Sequence, residues 1–268
     1  MADVLDGSTR SFDPALQAPV LEVRNVRKVF EQRADHPRIA VNDVSFAVAP
    51  GECVGLVGES GSGKSTIANM ILRLSDVSAG QILLKGNDIT QCKGKALRDV
   101  YRSIQVVFQN PTSSFDPRRT LGYSMAEGLK NAGKSSEFIK GQLSALMQRC
   151  GLPVELASRY PHEVSGGQCQ RAAIVRALAL EPDVLICDEA TSALDVTVQK
   201  DIIDLLADLR KGSNMAMLFI CHDIALVQSV CDRVVVLRDG AIVEQGATDH
   251  VLHHPKSDYV KMLISAVL

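Results

Sequence analysis

The sequence has almost no excess of either charge, with 29 Lys and Arg against 31 Asp and Glu in 268 residues. This balance argues against a protein that binds nucleic acid through bulk positive charge. No apolar run reaches the roughly 18 residues that a membrane-spanning helix requires. Residues 1–19 are polar and contain no apolar signal-peptide core, so we expect them to form a loose leader.

The cysteines show no pairing pattern. There are seven of them, an odd number, and no two have CxxC spacing. Cys187 and Cys221 lie inside apolar runs, where cysteine behaves as a small hydrophobic side chain. This usage predicts a reducing, cytosolic compartment.

The apolar residues, 46% of the chain, suffice for a large core, and their pattern predicts an α/β fold. The stretches at 20–26 and 41–48 resemble antiparallel strands, with a loop at 33–38 between them. Further along, apolar strands at 52–58, 103–110, 184–189, 215–223 and 233–240 alternate with helices. Such alternation predicts a mostly parallel sheet with helices on both faces. Polar residues follow these strands, at the edge where open α/β sheets bind ligands.

The first helix is predicted over 64–74, because Ile67, Met70, Ile71 and Leu74 recur at helical spacing on one face. Between 111 and 168 the composition changes to a turn-rich loop, followed by a helix that we expect to end at Gly151. A long helix is predicted between the strands at 184–189 and 215–223.

The stretch "GESGSGKST" at 58–66 matches the phosphate-binding P-loop pattern and lies between an apolar strand and an amphipathic helix. Its glycines allow the backbone to wrap around a phosphate group. Lys64 would reach the β- and γ-phosphates, and the Ser65 hydroxyl would coordinate Mg²⁺. The N-terminus of the following helix favours an anion. A glycine-rich turn that binds nothing is the alternative.

Three further strand ends carry polar residues suited to nucleotide hydrolysis. Asp188 would hold Mg²⁺ through water, and Glu189 beside it could polarise an attacking water. His222 ends the next strand and could contact the γ-phosphate. Gln109 ends another strand and could either coordinate Mg²⁺ or orient the water. Each of these residues alone could be structural; the P-loop makes the catalytic interpretation stronger.

A second glycine-containing loop, "VSGGQ" at 164–168, precedes another predicted helix. Together with the P-loop, Gln109, "LICDE", "SALD" at 192–195 and His222, it follows an order and spacing that resembles the nucleotide-binding domain of ABC transporters. The resemblance covers about residues 20–268. It implies a P-loop NTPase, RecA-like core with an antiparallel β subdomain and a helical subdomain at about 111–168. It also implies that two such domains close head to tail around two ATP molecules.

The resemblance assigns site residues by position, with ATP and Mg²⁺ as the bound groups. The expected catalytic residues are Glu189, His222 and Gln109, and the expected metal ligands are Ser65, Gln109 and Asp188. The residues expected to bind ATP are Phe30, which would stack on adenine, and Gly58, Glu59, Ser60, Gly61, Ser62, Gly63, Lys64, Ser65 and Thr66. The residues expected to contact the ATP of the opposite subunit are Ser165, Gly166, Gly167, Gln168 and Asp195.

The segments "VVFQNPTSSFDPRRT" and "DEATSALDVTVQ" are similar to the oligopeptide, dipeptide and nickel importer ATPases, and most similar to their second, F-type ATPase. Val164 replaces the usual Leu of the signature loop, and Cys221 stands where Thr or Ser is commoner. Many relatives continue into a cysteine-containing tail; because this sequence stops at Leu268, we expect no iron–sulfur cluster.

The resemblance implies an ATPase that energises peptide uptake at the cytoplasmic face of the inner membrane. Its partners would be a second ATPase subunit, an integral permease and, indirectly, an external substrate-binding protein, without nucleic acid. The loop after Gln109 and the helical subdomain are the expected docking surface for the permease. Three alternatives remain open: an importer of nickel or another small solute, an accessory ATPase of a phosphonate carbon–phosphorus lyase system, and a binding module with a degenerate site.

Overall fold

The computed structural model describes residues 18–31, 37–190, 195–211 and 213–266. The strands are β1 (Leu21–Phe30), β2 (Arg38–Val48), β3 (Cys53–Val57), β4 (Ala79–Leu84), β5 (Asn87–Asp88), β6 (Ile104–Phe108), β7 (Val184–Asp188), β8 (Ala216–Cys221), β9 (Arg233–Arg238) and β10 (Ala241–Ala247). The helices are α1 (Lys64–Ile71), α2 (Gly94–Ser103), α3 (Leu121–Asn131), α4 (Ser136–Arg149), α5 (Gly166–Leu178), α6 (Val196–Arg210), α7 (Ile224–Val230), α8 (Thr248–His253) and α9 (Asp258–Ser265).

The strands form two sheets. The first is antiparallel, in the order β2-β1-β4-β5. The second has the order β10-β9-β3-β8-β7-β6, in which the strands from β9 to β6 are parallel and β10 pairs antiparallel at one edge. The α/β fold predicted from the sequence is confirmed.

The central sheet is buried on both faces, which explains why its strands are continuous apolar runs. Along β7, Val184 and Ile186 pack in the core that contains α1 and the antiparallel sheet. Leu185 and Cys187 point to the opposite face, where they join the core that contains α3 to α6. The pleat alternates side chains between faces, so a strand between two cores needs apolar residues at every position.

Helices α3 and α4 lie between β6 and α5 in the chain and pack on α5. Their N-termini are capped by Thr120 and Ser135, whose hydroxyls accept hydrogen bonds from backbone N–H groups. Gly151 follows the end of α4 with a φ of 61°, a left-handed conformation that glycine adopts readily at a helix end. The predicted end of this helix is correct. The division into a domain at 20–268 and a helical subdomain at 111–168 remains a prediction.

Two boundaries differ from those predicted. Helix α1 ends at Ile71, and Leu74 is 61% exposed, so its assignment to the buried face was wrong. Arg73 adopts a φ of 57°, which breaks the helical path without a glycine. Arg38, predicted in a loop, is the first residue of β2. Residues 33–36 of that loop, residues 1–17 of the expected leader and residues 192–194 of "SALD" lie outside the described part of the chain.

All seven cysteines are free, and most are buried, as the sequence suggests. Across the described ranges, none of the helices is both long and apolar enough to cross a bilayer.

Candidate active site

The polar strand ends meet at one edge of the central sheet. Strands β3, β8, β7 and β6 are consecutive neighbours and parallel, so the residues that follow them lie side by side. The register pairs Val57 with Cys221, Asp188 with Ile220, and Phe108 with Asp188. The same edge of the sheet therefore carries the start of the P-loop together with His222, Glu189 and Gln109.

The P-loop connects β3 to α1 through a chain of tight backbone contacts. The N-cap residue of α1 is Gly63, which has a φ of 106° and offers no side-chain cap. A methyl group on Gly58 would lie 2.2 Å from the carbonyl oxygen of Leu237, so the loop passes directly against β9. The Ser62 carbonyl accepts a hydrogen bond of 3.1 Å from Gly240, in the turn between β9 and β10.

Lys64 lies beneath the loop and is almost fully buried. Its ammonium group donates to the carbonyl oxygens of Gly58, at 2.7 Å, and Glu59, at 2.9 Å. Burial lowers the pKa of Lys64, while the negative charges of Glu189 and Asp188 act in the opposite direction. A cation held by neutral carbonyls at an uncapped helix N-terminus is well suited to a phosphate group.

The acidic pair lies opposite this helix. The Ser65 hydroxyl is 3.5 Å from Oδ1 of Asp188. Burial raises the pKa of Asp188, and the neighbouring charge of Glu189 raises it further. A hydroxyl and a carboxylate at this separation form the hard-oxygen donor set that Mg²⁺ prefers when phosphate oxygens complete its shell. Among the described residues no group of three or more His, Cys, Asp or Glu could hold a metal without such help.

Glu189 and His222 approach each other at the same edge. Nδ1 of His222 lies 3.8 Å from Oε1 of Glu189. Glu189 has a φ of 47°, unusual for a residue with a side chain, and its N–H donates to the carbonyl of Ile220 at 2.9 Å. Backbone strain of this kind costs about 1–3 kcal/mol and often occurs at functional sites. Gln109 is exposed and follows β6 directly, one residue beyond the register position of Asp188.

A cleft of about 370 Å³ opens between the P-loop and the antiparallel sheet. Phe30, at the end of β1, is 41% exposed and lines this cleft. The other lining residues are Arg38, Ala40, Ser60, Gly61, Gly63, Lys64, Ser65, Thr66 and Glu189. The aromatic ring and the phosphate-type loop thus share one cleft, which is wide enough for small-molecule binding.

The second loop does not line this cleft. Ser165 is the N-cap of α5: its hydroxyl accepts from the N–H of Gln168 at 3.2 Å, and the Gln168 side chain accepts from the Ser165 N–H at 3.0 Å. Ser165 and Gly166 are exposed to solvent. Asp195 caps α6 in the same way, through Val198 at 3.0 Å. Ser165 and Asp195 thus cap helix N-termini on the surface, and neither residue lines the cleft beside the P-loop of its own chain.

Sequence reasoning missed several contacts of the site. Arg38 and Ala40 line the cleft because β2 starts earlier than expected. Arg176, on α5, donates to the backbone and hydroxyl oxygens of Ser114, and its guanidinium lies 4.4 Å from the Phe115 ring. These long-range contacts join the segment after Gln109 to the helix of the second loop, and no local sequence signal predicts them.

The phosphate loop is followed by a serine that lies beside an acidic strand end, and two neighbouring strands are followed by further polar residues. This combination is typical of P-loop nucleotide hydrolases. A family model for ABC transporters matches residues 41–192. The chain belongs to the ABC transporter family. The predicted family, fold and ATPase class are confirmed: the chain is an ABC ATPase, and ATP is its nucleotide.

Curated relatives resemble the chain over nearly its whole length. A Brucella ovis protein named as a candidate peptide import ATP-binding protein is 43% identical over 253 residues, which cover 94% of this chain and 79% of the relative. The glutathione import ATP-binding protein GsiA of Pectobacterium atrosepticum is 43% identical over 274 residues, 99% of this chain and 44% of that protein. These names support the importer subgroup expected from the sequence.

Solved structures share the fold. The cbiO1 subunit from Clostridium perfringens, part of the ABC transporter complex cbiONQ, has a TM-score of 0.78 at 27% identity and covers 88% of this chain and 91% of its own. The ATP-binding cassette MJ0796, in a dimeric post-hydrolysis state bound to ADP and Pi, has a TM-score of 0.77 at 27% identity. The match covers 85% of this chain and 98% of the MJ0796 chain. A dimer is therefore a known arrangement of such cassettes.

Proposed function

We propose that this ABC ATPase energises the uptake of peptides, working as a head-to-tail dimer on permease subunits at the cytoplasmic face of the membrane. The observation that carries the catalytic part is the convergence of four strand ends at one sheet edge. There, Ser65 lies 3.5 Å from Asp188, and Glu189 lies 3.8 Å from His222. The names of the relatives support peptides as the cargo.

The P-loop would bind the phosphates of ATP. Lys64 would exchange its carbonyl partners at Gly58 and Glu59 for phosphate oxygens, and the open N–H groups of the first turn of α1 would add further hydrogen bonds. Phe30 would stack on the adenine at the other end of the cleft. Ser65, Asp188 and Gln109 would hold Mg²⁺, with Asp188 acting through water. The bound cation would neutralise charge on the β- and γ-phosphates.

Hydrolysis would depend on residues beside the γ-phosphate. Glu189 would accept a proton from, or orient, the attacking water. His222, close to that carboxylate, would contact the γ-phosphate, and Gln109 would lie beside the same phosphate group. Because phosphoryl transfer needs mainly positioning and charge stabilisation, this small set of polar groups is sufficient for the chemistry.

The second loop would complete the ATP site of the opposite subunit. The Ser165 hydroxyl accepts one hydrogen bond within its own helix cap, which leaves its proton available for a γ-phosphate oxygen. Gly166 and Gly167 would present backbone N–H groups beside it, with Gln168 and Asp195 at the same interface. ATP would then bridge the two subunits, and hydrolysis would release them.

The permease would dock in a groove of about 560 Å³ between α2, β6, α3 and α5. The groove is lined by Arg98, Arg102, Arg176 and Glu127; Arg102 also forms an ion pair of 3.3 Å with Asp99, and Tyr101 supplies exposed aromatic surface. This excess of positive charge suits a cytoplasmic permease segment that carries acidic residues. The groove borders the segment after Gln109, so docking there would connect the permease to the ATP site. The residues between about 111 and 168 would act as the helical subdomain.

The test is reconstitution of this chain with a permease and a peptide-binding protein from the same organism. We expect ATP hydrolysis that peptide-loaded binding protein stimulates, together with peptide uptake. Glu189→Gln should bind ATP with unchanged affinity but hydrolyse it at least 100-fold more slowly, because a positioned acid–base group contributes about 10²–10⁴-fold. Glu181→Gln is the matched control, because Glu181 also has a positive φ, of 51°, but precedes β7 at the opposite edge of the sheet.

Normal hydrolysis by Glu189→Gln would overturn the catalytic assignment. Stimulation by a nickel-loaded binding protein instead of a peptide-loaded one would overturn the cargo assignment but not the ATPase mechanism. Co-purification with a soluble carbon–phosphorus lyase core, rather than with a permease, would favour the accessory role.

A further inference from the structure

We propose that Tyr259, near the C-terminal end of the described chain, is a positioning residue for the P-loop. Tyr259 is on α9, yet its hydroxyl accepts a hydrogen bond of 3.2 Å from the backbone N–H of Glu59. The two residues are 200 positions apart in the sequence. Glu59 is the second residue of the P-loop, so α9, the last helix in the described part of the chain, directly contacts the nucleotide-binding turn.

The Tyr259 side chain is buried and packed rather than exposed on the surface. It is 5% exposed, and its neighbour Val260 is fully buried. The guanidinium of Arg238 lies 4.9 Å from the centre of the Tyr259 ring. Arg238 ends β9, and the preceding residue, Leu237, presents the carbonyl against which Gly58 packs. The ring is therefore fixed by the same strand end that supports the first residue of the P-loop.

Helix α9 is also held at its start. The Glu244 carboxylate on β10 accepts hydrogen bonds from the N–H groups of Lys256, at 3.1 Å, and Ser257, at 2.9 Å. These bonds fix the segment that leads into α9, so the Tyr259 hydroxyl meets Glu59 at a defined place. The other end of the loop is held by Gly240, which donates to Ser62. The contact from α9 thus supplies the second anchor of the loop.

The two anchors have a consequence for nucleotide binding. Glu59 also presents its carbonyl to Lys64, the residue whose ammonium group must turn to the phosphates. If the first turn of the loop is held by Tyr259, the lysine and the following N–H groups keep their arrangement before the nucleotide arrives. Preorganisation of this kind improves affinity, because less ordering is required on binding. This inference depends on occupation of the P-loop by ATP or ADP.

Tyr259→Phe removes only the hydroxyl and keeps the ring beside Arg238. We expect ADP affinity, measured by calorimetric titration of the full chain, to fall about three- to tenfold, because the nucleotide must then order a loop that was held by one neutral hydrogen bond. The KM for ATP should rise by a similar factor, while kcat at saturating ATP stays within about twofold of wild type. Tyr123→Phe is the matched control, since Tyr123 is an exposed tyrosine on α3.

Urea unfolding without nucleotide separates positioning from general destabilisation. A loss of stability with unchanged ADP affinity would overturn the proposal, because Tyr259 would then be only a packing residue. If Tyr259→Phe does not fold, Arg238→Gln provides the same test by removing the group that fixes the ring, and unchanged ADP affinity in that variant would also overturn it. Failure of the wild-type chain to bind ADP would count against the nucleotide site itself, a distinguishable result.

Discussion

Two glycines of the P-loop allow the fold around the site to be tested with one added methyl group each. Gly61 and Gly63 both adopt left-handed conformations, with φ values of 85° and 106°. A methyl group on Gly61 would meet nothing within 4 Å among the described residues. A methyl group on Gly63 would lie 2.6 Å from the carbonyl oxygen of Ala40 on β2. Comparing Gly61→Ala with Gly63→Ala therefore separates the cost of backbone strain from the cost of steric overlap with β2.

The backbone strain should be similar at the two positions, about 1–3 kcal/mol for a side chain in a sparsely populated region. Only Gly63→Ala must also displace a backbone oxygen, because 2.6 Å is shorter than any normal Cβ contact. Overpacking of this kind costs about 1–3 kcal/mol. Gly63→Ala should therefore lower the free energy of unfolding by about 1–3 kcal/mol more than Gly61→Ala.

Urea unfolding of the two variants without nucleotide, followed by circular dichroism, measures this difference. With a denaturant slope of about 3 kcal/mol per molar urea, the midpoint of Gly63→Ala should lie roughly 0.3–1 M below that of Gly61→Ala. Equal midpoints would refute the reasoning, because they would mean that β2 moves away from the P-loop at no cost. A lower midpoint for Gly61→Ala would contradict it more strongly.

Two further predictions concern the interface and the acidic strand end. Ser165→Tyr should keep ADP affinity but abolish dimer formation and ATP turnover. The control, Ser135→Tyr, loses the same type of helix cap on α4 and should still form dimers and hydrolyse ATP. Size-exclusion chromatography measures dimer formation, and an ATPase assay measures turnover. Burial and Glu189 raise the pKa of Asp188, so in the nucleotide-free protein the stability contribution of this group is present at acid pH and is lost as pH rises through the raised pKa. Asp188→Asn should therefore unfold at higher urea than wild type at pH 7, with the advantage disappearing near pH 3; a less stable variant at pH 7 would contradict the sign.

The positions of the strand-end residues could be predicted because they depend on local patterns and one general rule. Apolar runs identified β3, β6, β7 and β8, and parallel strands place their carboxyl ends at a common edge. That rule alone places the P-loop, Glu189 and His222 at one edge, without information on any tertiary contact. The roles of these residues were predicted from the P-loop and the strand ends and then assigned again by the resemblance, and they remain proposals.

The features that sequence reasoning missed have weak or distant signals. Helix α2 buries only Val100, so its apolar periodicity is too sparse to indicate a helix. Helix α1 ends where Arg73 adopts a left-handed conformation, which no glycine or proline announces. The contact between Tyr259 and Glu59 joins residues 200 positions apart in the sequence and depends on the docking of α9. Tertiary packing determines all three features.

The second loop is also joined to the catalytic edge of its own chain. A methyl group on Gly167 would lie 2.7 Å from Cγ1 of Val198, so α5 packs closely on the first turn of α6, which Asp195 caps. The buried Gln170 side chain donates at 2.6 Å to the carbonyl of Ala190, the residue after Glu189. If Ser165 and Asp195 contact the opposite nucleotide, these contacts make them one packed unit with the strand end that carries Glu189. A shift of either half-site would then require the other to move, which gives a physical basis for coupling between two ATP sites in one dimer.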